Sequence, residues 1–172
     1  MISPIKLIAL SSVALALLPP HAPRASAASD AWVLSEKGYG PLHTGMSKSD
    51  LKGRVGATAE EGQVGGCEQI DLVDHPGVVV MFEQGKLARV TVHDRDVKTD
   101  RGIGLGSEEA AVRAAYAPLQ VEPHAYSDAP AAYFTYWRVS TRQGIRFETD
   151  EARKVSVIHV GDDAIRLVEG CS

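Results

Sequence analysis

Gly45-Met46-Ser47-Lys48-Ser49-Asp50-Leu51-Lys52-Gly53-Arg54-Val55-Gly56 is answered later in the chain by Gly106-Ser107-Glu108-Glu109-Ala110-Ala111-Val112-Arg113-Ala114-Ala115-Tyr116-Ala117. Both stretches open on Gly and offer, within two residues, a Ser able to cap a helix. Leu51 corresponds to Val112, Lys52 to Arg113 and Val55 to Tyr116. The apolar pair in each stretch is spaced four residues apart and so shares one helical face. Each stretch predicts a short helix of about ten residues, too short to hold alone in water and dependent on a sheet.

The segments after the two helices also correspond. Phe82-Glu83 precedes Arg89-Val90-Thr91-Val92, and Phe147-Glu148 precedes Lys154-Val155-Ser156-Val157, with the same spacing from Phe to the first Val. Alternation with period two predicts strands. They fall at 68–73, 78–83 and 87–93 in the first half, with a short piece around Leu42. In the second half they fall at 133–139, 144–149, 154–160 and 164–168. Gln84-Gly85 suits a tight hairpin, and His75-Pro76-Gly77 a turn. The link from His93 to Arg101 is highly charged and predicts a solvated connection. The expected architecture is α+β: two tandem units, 30–97 and 98–172, each a short helix packed on antiparallel strands, together forming one curved sheet. Two such units side by side bury about two-thirds of the unfolded chain's surface.

Strand parity assigns the faces. Val78, Val80, Phe82, Val90, Val92, Ile145, Phe147, Val155 and Val157 are expected on the helix-covered core. Val79, Met81, Glu83, Arg89, Thr91, His93, Arg146, Glu148, Ser156 and Ile158 are expected on the opposite face. In 133–139, Trp137 and Val139 suit the core, which would put Phe134, Tyr136 and Arg138 on the open face. Aromatics and Arg on a solvated antiparallel face suit docking of another protein.

Positions 1–27 predict a signal peptide. Lys6 supplies a basic start, positions 7–18 (LIALSSVALALL) are uncharged and apolar, and Ala25-Ser26-Ala27 offers small residues for cleavage. That apolar run is short of the ~20 residues a membrane-spanning helix requires, and no later run reaches that length. The product is therefore expected to be periplasmic or secreted. In an oxidising compartment Cys67 and Cys171, the two cysteines of the chain, are expected to pair. The chain has 172 residues, 44% of them hydrophobic and 23% charged, which fits a globular fold. A net charge of -4 and a pI near 5.8 argue against a nucleic-acid binder.

Gly45-Met46-Ser47 with Leu51 and Gly56 resembles the helix opening of the SmpA/OmlA outer-membrane-assembly lipoproteins, and two such units in tandem are similar to β-lactamase inhibitory protein. Positions 99–116, from Thr99-Asp100-Arg101-Gly102-Ile103-Gly104-Leu105-Gly106 to Tyr116, and Glu169-Gly170-Cys171 resemble segments that recur in a group of small exported bacterial proteins of unassigned function. The chain departs from the inhibitor in having one Cys in each unit rather than a disulfide in each, and from the lipoproteins in lacking a lipidated Cys. The resemblance implies a non-enzymatic, protein-binding scaffold.

Chemistry-bearing motifs are few. Gly102-Ile103-Gly104-Leu105-Gly106 imitates a dinucleotide fingerprint, but about eight polar residues separate it from the preceding strand, where that motif requires an immediate turn. Ser107 is outside any nucleophile elbow and is expected to be an N-cap. The histidines form no H-x₃-H or H-E-x-x-H pattern. The expectation is a non-catalytic envelope scaffold that takes no cofactor and binds another envelope protein through Phe134, Tyr136 and Arg138. The alternative is a small enzyme or a metal- or ligand-binding protein with a site near His93, Asp96 or His159.

Overall fold

The structure is a computed structural model describing residues 32–138 and 142–171. The signal-peptide segment 1–27 and Val139 are outside the described residues. The chain begins with a small sheet of β1 (Leu34–Ser35), β2 (Gly38–Tyr39) and β3 (Leu42–His43). Helix α1 (Lys48–Lys52) leads into β4 (Thr58–Val64), β5 (Cys67–Leu72), β6 (Val78–Glu83) and β7 (Lys86–Val92). Helix α2 (Glu109–Ala115) leads into β8 (Gln120–Pro123), β9 (Ala132–Arg138), β10 (Gln143–Thr149) and β11 (Val155–Gly161). A 3₁₀ turn, Asp163–Arg166, comes after β11.

The eight longer strands form one antiparallel sheet in the order β4-β5-β6-β7-β11-β10-β9-β8. The meander after each helix thus reaches the sheet centre with its last strand, and β7 meets β11 there through Val92 opposite Ile158 and Val90 opposite Val160. At the β6–β7 hairpin, Gln84 (φ 48°) and Gly85 (φ 75°) both take left-handed backbone, as a two-residue turn that matches the sheet's twist requires.

The α+β class is overturned: the protein is mostly β. Helix α1 has five residues and α2 seven, and each buries one apolar side chain, Leu51 and Val112. Ser47 starts α1 with a capping box, its hydroxyl accepting from the Asp50 backbone N–H while Asp50 accepts from that of Ser47. Gly53 then ends the helix after little more than a turn. At α2 the N-cap is Glu108, not Ser107; the Ser107 hydroxyl instead accepts from the Gly104 N–H at 3.1 Å and tightens the preceding loop. The expected strand at 164–168 is the 3₁₀ turn and the coil after it.

The core occupies the helix side of the sheet. Val80, Phe82, Val90, Ile145, Phe147 and Val160 pack there with Leu51, Val112 and Tyr116. Two parity expectations fail, each for a physical reason. In β11, Glu148 faces Val157 and Thr149 faces Val155, so Ser156 is an extra residue. That bulge reverses the alternation, sending Ile158 and Val160 into the core and turning Val157 and His159 to the open face. In β9, Phe134 is paired with Phe147 and Tyr136 with Ile145. Paired residues share a face, so Phe134 and Tyr136 join the core side, and Tyr133, Thr135 and Trp137 take the other.

Cys67 and Cys171 are disulfide-bonded, with 5.4 Å between their Cα atoms. The bond fastens the end of the chain to β5. The segment after β11 thereby lies across the open face, where Met81, Ala88 and Ala164 form a second, small apolar cluster flanked by the two cysteines.

Candidate functional site

The open face is polar in rows. Strand register aligns Asp71, Val79, Thr91, His159, Arg146 and Thr135 across β5, β6, β7, β11, β10 and β9. His159 is 6% exposed and uses both ring nitrogens: Nδ1 is 3.0 Å from the Thr91 hydroxyl and Nε2 is 2.7 Å from Glu148. The second oxygen of Glu148 is 3.4 Å from Nε2 of His124, whose ring stacks on Tyr133. Burial pulls the His159 pKa below its usual value, so the ring is neutral near pH 7. Burial acts to raise the Glu148 pKa, but the hydrogen bonds from His159 and His124 outweigh it and keep the group ionised. An ionised carboxylate only accepts. Nε2 of His159 therefore carries the proton, and Nδ1 accepts from Thr91.

A parallel network adjoins this one. Arg146 donates to Glu122 at 2.8 Å and to Thr135 at 3.2 Å, and stands 3.9 Å from the Tyr133 ring centre. Arg166 reaches the other oxygen of Glu122, and the Arg146 hydrogen bond leads in lowering that carboxylate's pKa.

Beside these networks is a cleft of about 490 Å³. Its floor is Gln69, Asp71, Val79, Arg89, Thr91, His93, Val157 and His159; one wall is Val168, Glu169 and Gly170 of the disulfide-held segment. Arg89 fastens that wall by donating to the Ala164 and Leu167 carbonyls, and Gln69 by accepting from the Cys171 N–H at 3.0 Å. Val168 is 44% exposed at the rim.

The expected docking residues do not line this cleft. Phe134 is buried in the core with Arg113 over its ring at 4.7 Å. Tyr136 is half-buried, and Arg101 is held between it and Tyr116. Burial pushes the Tyr116 hydroxyl up to about 12. Arg138 is half-exposed at the last position of β9. Of the alternative site, His93 and His159 share the cleft, whereas exposed Asp96 lies in a local turn where its backbone N–H donates to the Asp94 carboxylate. Among the described residues, no group of three or more His, Cys, Asp or Glu is placed to hold a metal ion. Arg89, Thr91 and Glu148 carried the right parity in the sequence, but their meeting with His159 depends on the Ser156 bulge and on the β7–β11 joint, which local pattern does not reveal.

No protein-family model and no curated protein sequence matches the chain. Among solved structures the fold is similar to the uncharacterized protein YfeY from Escherichia coli, with a TM-score of 0.52 and 15% identity over 75% of this chain and 99% of that one. Lesser likeness extends to an extracellular SCP-domain protein from Bacillus anthracis, with a TM-score of 0.44 and 12% identity over 69% of this chain and 44% of that one. It extends also to a cysteine-rich secretory protein from Staphylococcus aureus, with a TM-score of 0.46 and 12% identity over 77% of this chain and 45% of that one. At such identity the likeness to YfeY is one of fold alone.

Proposed function

We propose that the protein is an exported, non-catalytic binding protein of the cell envelope that seats a segment of another protein in the open-face cleft. The observation that carries this reading is the cleft wall, a chain segment fastened across the sheet by Cys67–Cys171 and by Arg89. A wall held at both ends gives a partner a preformed surface at little entropic cost. Val79, Val157 and Val168 supply apolar contact, while Thr91, His159 and Glu148 satisfy one another. The signal-like leader and the disulfide support export, and no helix among the described residues is long and apolar enough to cross a membrane.

Thr91, His159 and Glu148 also favour a second reading, because they stand in the order of a nucleophile, a base and an orienting acid. Thr91, however, sits within β7, paired to β6 and β11, where backbone N–H groups serve the ladder rather than a developing oxyanion.

The test is affinity capture from envelope extract with wild type, the cleft variant Val79→Lys/Val168→Lys and the distant control Val33→Lys. A partner retained by wild type and control but lost by the cleft variant, confirmed with the purified pair, supports the proposal. Equal retention by all three overturns it, as does ester hydrolysis abolished by Thr91→Val.

A further inference from the structure

Arg89 has a chemistry its own fold leaves incomplete. The residue is 5% exposed and lines the cleft. Its Nη1 donates to two backbone carbonyls, of Ala164 at 3.2 Å and Leu167 at 2.6 Å, while Nε has no hydrogen-bond partner among the described residues. A guanidinium keeps its charge and carries five donors in a fixed fork. Here its acceptors are neutral. The carboxylate across the cleft, Glu148, is engaged by His159 and His124. Glu169 meets the Tyr126 hydroxyl on the strap, and Asp71 is one row further along the sheet, two strands away. The charges of Glu148 and Glu83 act on the guanidinium, but neither carboxylate is hydrogen-bonded to it, and a buried N–H without an acceptor is costly.

The strap limits what can supply the missing acceptor. Gly170 packs against Arg89 so closely that a Cβ there would be 3.2 Å from Nη2 and would run into Gln69 Oε1. A peptide continuing past Arg89 on that side would meet this wall, whereas one that ends at Arg89 would not. Asp71, Glu148 and Glu169 on the same lining disfavour a multiply charged anion. We infer that Arg89 receives the free C-terminal carboxylate of an extended peptide, the partner's chain end entering between the sheet and the disulfide-held strap. The inference rests on the cleft being the binding element. It adds that the incoming carboxylate accepts from Nη2, the guanidinium nitrogen beside Gly170, since Nε itself is enclosed, with His159 and Thr91 beside it on the floor.

The experiment is an NMR titration of the full chain with N-acetyl-dialanine as the free acid, the same peptide as its C-terminal amide, and inorganic phosphate. The Arg89 Nε–H resonance is the primary readout. The free acid is expected to shift it, together with the Thr91 and His159 amides, in a saturable manner. The amide is expected to bind about tenfold more weakly or not at all because it lacks the carboxylate's charge, and phosphate likewise because its second charge meets Asp71, Glu148 and Glu169. Arg89→Lys keeps the charge without the fork and is expected to lose about the same factor. Unchanged Ala164 and Leu167 amide shifts in that variant verify that the strap is still seated. Acid and amide shifting the cleft equally would overturn the carboxylate assignment and leave the cleft reading standing, as would phosphate binding more tightly than the acid. No cleft shift from any probe would also overturn the inference. Combined with partner capture undiminished in Val79→Lys/Val168→Lys, that result would remove both readings.

Discussion

Replacing Cys67 and Cys171 together by Ala removes a cross-link between positions 104 apart in sequence. In the chain-entropy account, closing a loop of that length costs the unfolded ensemble about 16 cal/mol/K, or about 4.8 kcal/mol at 25 °C. The double variant also frees the strap end, leaving Gln69 and Arg89 to hold it by hydrogen bonds alone. Domains of this size are typically stable by roughly 5–15 kcal/mol, so the loss would be a third of the total or more. Equilibrium urea unfolding is the assay. With a slope of about 2 kcal/mol/M the midpoint is expected to drop by about 2 M, and the slope to rise because the denatured chain is no longer held compact. Hydrogen exchange at the Cys171 position separates local from global effects, because that amide loses protection first if the strap lifts. A global loss below about 1 kcal/mol would refute the assignment of this bond as the fold's main covalent restraint.

Two further outcomes rest on named contacts. His159 is neutral when folded, because burial depresses its pKa, whereas the unfolded residue titrates near 6.5. Below pH 6.5 the unfolded chain therefore takes up a proton that the folded chain refuses. Stability should fall by up to about 1.4 kcal/mol per pH unit until the folded pKa is reached. Glu148, also depressed when folded, adds a further loss below its ordinary value near 4.5. Urea midpoints at pH 7.5, 6.5 and 5.5 should decline for wild type and flatten between 6.5 and 5.5 for His159→Gln; parallel profiles would count against the assignment. Phe134→Ala should cost about 3–5 kcal/mol as a core cavity, while Arg138→Ala at the strand end should stay within about 0.5 kcal/mol. Comparable small losses for both by thermal melt would return Phe134 to the surface.

The legible parts were those that depend on neighbours in sequence. Gln84-Gly85 specifies its hairpin because left-handed backbone is a property of the two residues themselves, and the strands around it alternate as their pleat demands. Ser47 marks the start of α1, since a hydroxyl three residues before an acidic side chain is a local device. Where α1 stops was less legible: apolar residues spaced for one helical face extended to Val55, but Gly53 had already ended the helix. That shortfall, repeated at α2, made an α+β expectation of a mostly β protein. The strands at β4 and β8 were missed as well, each with a mixed composition that no alternation marks.

By itself the sequence determined the Gln84-Gly85 hairpin, the start of α1, the cysteine pair and the parity of β6, β7 and β10. Only the tertiary structure decided that Phe134 is core, that Ser156 bulges to bring His159 beside Thr91 and Glu148, and that Arg89 lies under the end of the chain. In β9 aromatics occupy both faces, so alternation could not choose between them; the pairing of Phe134 with Phe147 did. A strand's pattern sorts its residues into two sets, but which set meets the core is fixed by the strand beside it.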